Sequence, residues 1–125
     1  MKVGLLSVSD DLKRIEATRK AIGNKHEKCQ NLCSIITGPD VKLMVDANHA
    51  YNVPTAVTLA KKMEQFDISW FEEPVIPEDV DGYRRVKSQT SIPIAGGECS
   101  FMRYGFRDMF AGWNQRRHSY IHFIL

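Results

Sequence analysis

Residues 68–73 read ISWFEE, a short apolar run that stops in two acids. Ile68, Trp70 and Phe71 give it the bulk of a buried strand. Two further segments are built the same way, VKLMVD at 41–46 and IPIAGGE at 92–98. Asp46 to Glu72 is 26 residues, and Glu72 to Glu98 is again 26. That repeat is about the length of one strand–helix unit in a barrel of eight units over roughly 250 residues. Helix signals fill the gaps. Asn52 and Pro54 mark one start, with Val57, Ala60 and Met63 as its apolar face. Pro77 opens a second helix, with Glu78, Asp79 and Asp81 near its positive end, and residues 104–111 read as a third. Upstream, residues 1–6 (MKVGLL) read as a first strand. Asp10 and Asp11 suit the start of a helix, and Leu12, Ile15, Arg19 and Ile22 follow helical spacing up to a stop at Gly23.

Strands alternating with helices predict a parallel sheet. The expected fold is α/β, a partial TIM-type (β/α) barrel of about four βα units. A doubly wound sheet is the competing form. Strands apolar along their length predict cover on both faces. Two segments leave the pattern. Residues 24–37 (NKHEKCQNLCSIIT) match neither neighbour and read as an atypical insertion. Residues 113–125 (WNQRRHSYIHFIL) are an atypical tail with no legible cap or turn logic. The expected domain is therefore 1–112.

The chain has 125 residues, enough for one domain, and 43% of them are hydrophobic, which argues against disorder. A net charge of +2 with scattered basic residues excludes a nucleic-acid surface. No run approaches membrane-spanning length. The apolar run Val3–Leu6 is too short for an export signal, so the expected location is the cytoplasm. Three cysteines imply no disulfide framework.

Equal spacing is expected to bring Asp46, Glu72 and Glu98 to the same end of three adjacent strands, where α/β folds build their sites. Converging carboxylates repel one another, and a hard divalent cation resolves that conflict. Oxygen ligands favour Mg²⁺, with Mn²⁺ or Ca²⁺ as substitutes. Each acid taken alone is equally a helix-entry residue. Lys2 lies 44 residues before Asp46. If residues 24–37 are an insertion, Lys2 falls one unit upstream, and a lysine beside a divalent cation has a lowered pKa and can act as a base. Taken alone it is an ordinary surface lysine. His26, Cys29 and Cys33 offer three zinc ligands where a tetrahedral site wants four. Cys99 reads as a small packing residue rather than a nucleophile, and His49 as a solvated loop histidine. His118 and His122 carry no motif.

The runs KVG (2–4), LMVDAN (43–48), WFEEP (70–74) and AGGE (95–98), in this order, resemble the barrel of the enolase superfamily. The subgroup resembled is that of mandelate racemase and muconate lactonizing enzyme, with its acid-sugar dehydratases. The resemblance covers residues 2–23 and 39–112. It implies Mg²⁺ bound by Asp46, Glu72 and Glu98, Lys2 as a base matching the second lysine of a Lys-x-Lys pair, and Asn48 helping to hold the substrate carboxylate. The implied chemistry is abstraction of a proton α to a carboxylate, leading to sugar-acid dehydration or 2-hydroxy-acid racemisation. The substrate is then a small carboxylate, and the parent family is homo-oligomeric.

The pattern also departs from that family. Nothing here matches its capping domain, the first lysine of its pair, or its later-strand Asp and His. A catalytically inactive truncated fragment that keeps only the metal-ligand layout is the expected alternative. A receiver-like binding module is disfavoured, because receivers cluster their acids at the first strand while these are spread over three.

Overall fold

Three of the helices begin with a side chain that closes the first turn. The computed structural model describes residues 1–23, 41–112 and 119–121. Helix α1 spans Val8–Ile22, and Ser7 caps it by accepting from the Asp10 amide. Strand β1 is Leu43–Asp46. Helix α2, Val53–Met63, is capped by Asn52, with Pro54 in its first turn. A 3-10 turn at Glu64–Phe66 leads into β2, Ile68–Glu72. Helix α3 is Val80–Gln89, β3 is Ile94–Gly96, α4 is Met102–Gly112 and β4 is Ser119–Ile121. No helix of the described residues is long and apolar enough to cross a membrane.

The strands pair in parallel in the order β1-β2-β3-β4. Helices neighbouring in sequence pack on one another, α1 on α2, α2 on α3 and α3 on α4. Sequential strand order with one run of adjacent helices is the winding of a (β/α) barrel wall. A doubly wound sheet would reverse strand order and divide its helices.

The core lies between sheet and helices. Val45 pairs with Phe71, and Phe71 with Ile94, so three fully buried side chains form one line across the sheet. They join Ile15, Leu59, Met63 and Val86 from the helices in one cluster, each contributing about 2 kcal/mol by burial. Along β1 and the end of β2, burial alternates. Leu43, Val45 and Phe71 are buried, whereas Met44, Asp46, Trp70 and Glu72 are half-buried. Cover on both faces, expected from the apolar runs, is therefore only partial.

Three expectations are corrected. Residues 1–6 do not form a strand. Only Lys2 pairs, as a parallel bridge to Asp46. The chain turns away at Gly4 (φ 98°), whose amide donates to Asp11 Oδ2 at 2.9 Å instead of to the sheet. Helix α3 starts at Val80 rather than Pro77. Residues 76–79 form a turn, closed by the Asp79 amide on Ile76 O at 3.0 Å, and Asp79 is the cap. The tail, read as patternless, contributes β4. Residues 24–37, with the zinc ligands His26, Cys29 and Cys33 expected there, lie outside the described residues, as do His118 and His122.

Candidate metal centre

The bridge at Lys2 sets the geometry of the strand-end face. Asp46 N donates to Met1 O at 2.8 Å, Val3 N to Asp46 O at 2.9 Å, and Ala47 N to Glu72 O at 3.0 Å. Lys2, Asp46 and Glu72 thus lie side by side across three adjacent backbones. Glu72 is in register with Ala95, so Glu98 follows beyond the end of β3, on the turn after Gly97. The two glycines place Glu98 past the level of the other two acids, and its side chain is exposed.

Lys2 Nζ lies 2.6 Å from Asp46 Oδ2 and donates to Asn48 Oδ1 at 3.0 Å. The Asn48 amide donates to Asp46 Oδ1 at 2.8 Å, so both Asp46 oxygens are engaged. Trp70 Nε1 donates to Glu72 Oε2 at 3.3 Å. The hydrogen bond to Asp46 is the largest influence on the Lys2 ammonium and raises its pKa. Desolvation opposes this, and the charges of Asp46, Glu98 and Glu72 add to the rise. By themselves the acids therefore favour the charged form of Lys2. The same fact speaks to the donor set. All three acids act on one ammonium, and an all-oxygen set of this kind fits a hard divalent cation.

Among the described residues, the group whose ligand atoms come within 4.8 Å of one another is His49, Glu73 and Cys99. His49 Nδ1 lies 3.2 Å from Glu73 Oε2, so His49 is not the solvated loop residue expected. Cys99 is exposed, and so does not serve as packing. Desolvation, followed by the Glu73 and Glu98 carboxylates, raises its thiol pKa. Burial raises that of Glu73, which is 1% exposed, while His49 pulls it back and Glu98 adds to the rise. Asn48, His49 and Glu73 all have positive φ (45°, 53° and 41°), conformations that cost non-glycine residues about 1–3 kcal/mol each and cluster at functional sites.

Glu73 escaped the sequence reading, although a signal was present. ISWFEE carries a second acid one residue beyond Glu72, at the same strand end.

A family model described as enolase C-terminal domain-like matches residues 1–112. The chain is 45% identical over 105 residues to the D-galactarolactone cycloisomerase of Agrobacterium fabrum, covering 84% of this chain and 24% of that protein. Among solved structures, the 3,6-anhydro-D-galactonate cycloisomerase from Zobellia galactanivorans is 52% identical with a TM-score of 0.75, over 90% of this chain and 27% of that one. The L-talarate dehydratase from Polaromonas sp. JS666, complexed with Mg and L-glucarate, is 31% identical with a TM-score of 0.74, over 89% and 27%. The chain thus spans about a quarter of the length of the relatives it matches.

Proposed function

This chain belongs to the enolase C-terminal domain-like family, and on that premise we propose that it carries one wall of a Mg²⁺-dependent site for abstracting a proton α to a carboxylate. Asp46, Glu72 and Glu98 are the metal ligands in this reading, with Mn²⁺ as an alternative ion. Lys2 is the base, and Asn48 helps to hold the substrate carboxylate. The supporting observation is the row of Lys2, Asp46 and Glu72 across adjacent backbones, with Lys2 Nζ 2.6 Å from Asp46 Oδ2.

Mg²⁺, when bound, supplies Lewis-acid stabilisation of the charge that builds on the carboxylate as the proton leaves. The chain's own part is positional. Lys2 accepts a proton at Nζ only when uncharged, so the acids that hold its ammonium must first be neutralised. Asn48 Oδ1 fixes the Lys2 head at 3.0 Å, and its Nδ2, 3.3 Å from His49 Nε2, carries a second N–H suited to a carboxylate oxygen. The substrate class is a sugar acid or a related 2-hydroxy acid, since the dehydratase of comparable fold is complexed with L-glucarate. The outcome is dehydration or racemisation, and the two cycloisomerases add ring rearrangement to the panel to be tried.

A second reading is favoured by one observation. The base is tied as a cation to a ligand of the metal, which suits a chain that binds the ion without turnover. Exchange of the α-hydrogen in D₂O, with Mg²⁺ and a panel of sugar acids, separates the two. Exchange abolished by Lys2→Ala supports catalysis. No exchange with any acid, under conditions where Mg²⁺ binds, leaves the metal-binding reading.

A further inference from the structure

We propose that His49, Glu73 and Cys99 form a second metal site, one that takes a thiophilic divalent cation such as Zn²⁺. Their donor atoms, an imidazole nitrogen, a carboxylate oxygen and a thiol sulfur, all lie within 4.8 Å of one another. The three come from three successive strand ends: His49 follows β1, Glu73 follows β2 and Cys99 follows β3. Residues far apart in sequence thus converge on one point.

The chemistry of this set differs from that of the acids beside it. Three carboxylates suit a hard ion, whereas imidazole with thiolate suits zinc. With Zn–N and Zn–O bonds of about 2.0–2.1 Å, the edge of a tetrahedral shell is about 3.3–3.4 Å. His49 Nδ1 and Glu73 Oε2 are 3.2 Å apart, close to that edge, though a hydrogen bond has the same length.

What separates a metal site from a simple His–Glu pair is the other carboxylate oxygen. Glu73 is 1% exposed, its buried Oε1 has no well-formed hydrogen bond, and the Glu98 carboxyl and Cys99 thiol lie close enough to act on the same carboxylate. A buried carboxylate oxygen left unpaired is costly. A dication supplies the counter-charge that a half-exposed imidazole provides only when protonated. Binding would release the Cys99 proton to solvent, since a coordinating thiol is deprotonated. Three protein ligands, one of them exposed, leave a fourth position for water or an exchangeable group.

Cobalt(II) tests this directly, because a Co–thiolate bond has a charge-transfer absorption that oxygen ligands do not give. Cys29→Ser/Cys33→Ser removes the other two cysteines of the chain, so any thiolate band must come from Cys99. The expected result is one equivalent of Co²⁺ with that band in the double variant, displaced by Zn²⁺ and retained under excess Mg²⁺. Cys99→Ser, at an exposed position, should abolish the band in a protein of unchanged circular dichroism. His49→Ala should weaken binding by about a hundredfold or more, beyond the range for losing a ligand's outer partner. The idea fails if the band disappears with Cys29 and Cys33, which moves the site to residues 24–37. It fails equally if Mg²⁺ displaces the cobalt, which would put the ion on Asp46, Glu72 and Glu98.

Discussion

Lys2 Nζ lies 2.6 Å from Asp46 Oδ2, so a fixed ammonium sits against a carboxylate proposed to bind a dication. The two cations compete for one oxygen. Lys2→Ala is therefore expected to tighten Mg²⁺ binding while removing any α-proton exchange. The Lys2 side chain is 61% exposed, so solvent screening limits the gain to about threefold, under 1 kcal/mol. Asp46→Asn, Glu72→Gln and Glu98→Gln should each weaken binding, by about tenfold or more. Calorimetric titration of the four variants reads both signs. Weaker binding in Lys2→Ala would mean that the lysine supports the ion rather than competing with it.

Asp11 anchors the segment that carries Lys2. It is fully buried, accepts from the Gly4 amide at 2.9 Å and Tyr51 Oη at 2.7 Å, and pairs with Arg14 at 3.0 Å. Tyr51→Phe leaves one buried acceptor short and should cost about 1–3 kcal/mol in urea unfolding. Asp11→Ala strands the Gly4 amide as well and should cost more. Equal costs for the two would show that Asp11 acts through Tyr51 alone.

How far the sequence could carry the site follows from register. Asp46 and Glu72 were legible as neighbours because spacing and pairing agree. For Glu98 they do not. The same 26-residue interval suggests the same level, but Glu72 pairs with Ala95 and the Gly96-Gly97 step carries Glu98 past the strand end. Spacing counts residues, whereas register counts rise along a strand, and a turn breaks their equivalence. Strand β4 was hidden for a different reason. Three residues, Ser119–Ile121, are too few to show a period. The His49–Glu73–Cys99 cluster follows nearly the same period, 24 and then 26 residues, but its mixed residue types hid it beside the run of acids.

Arg19 was legible as part of the α1 stripe, but its role was not. It is 3% exposed and donates to Phe66 O and Asp67 O at 2.8 Å and to Val41 O at 3.1 Å. The guanidinium thus ties α1 to the segments leading into β1 and β2. Arg19→Leu should destabilise by about 2–4 kcal/mol, because it leaves several carbonyls unpaired. Arg19→Lys should recover little of this, because an ammonium cannot span the same fork. Full recovery by lysine would reduce the site to a need for charge.

Glu64 predicts an acid limb in stability. Its Oε1 accepts from Ser91 N at 2.6 Å, Thr90 Oγ1 at 2.9 Å and Ser91 Oγ at 3.0 Å. The Ser91 amide bond is the main cause of its lowered pKa. A carboxyl that ionises more readily when folded adds stability above its unfolded pKa, about 4.3. That contribution is lost as pH falls through the lower, folded value. Glu64→Gln should therefore flatten the fall in stability below about pH 5 and narrow its gap to the parent chain as acid is added. Since Glu64 precedes β2, at the end of the sheet remote from the acids, Mg²⁺ affinity should not change. A constant gap from neutral to acid pH would assign the effect to shape rather than charge.

Gly4 separates folding from chemistry. Its φ is 98°, and a Cβ there would strike the Ala50 Cβ and approach Ala47 O to 3.2 Å. An alanine must therefore change the turn or push away the loop that carries Asn48 and His49. The cost to stability is about 1–3 kcal/mol for the backbone conformation, with the clash added. The more informative effect is local. Lys2 is held by one bridge to Asp46 and sits two residues from Gly4, so the turn sets where its ammonium lies, whereas β1 and β2 hold Asp46 and Glu72 without it. Gly4→Ala should then lose α-proton exchange well before it loses Mg²⁺ binding, when both are measured at a temperature where the variant is folded. If both fall together, the N-terminal segment is part of the metal site's framework and not just the support of its base.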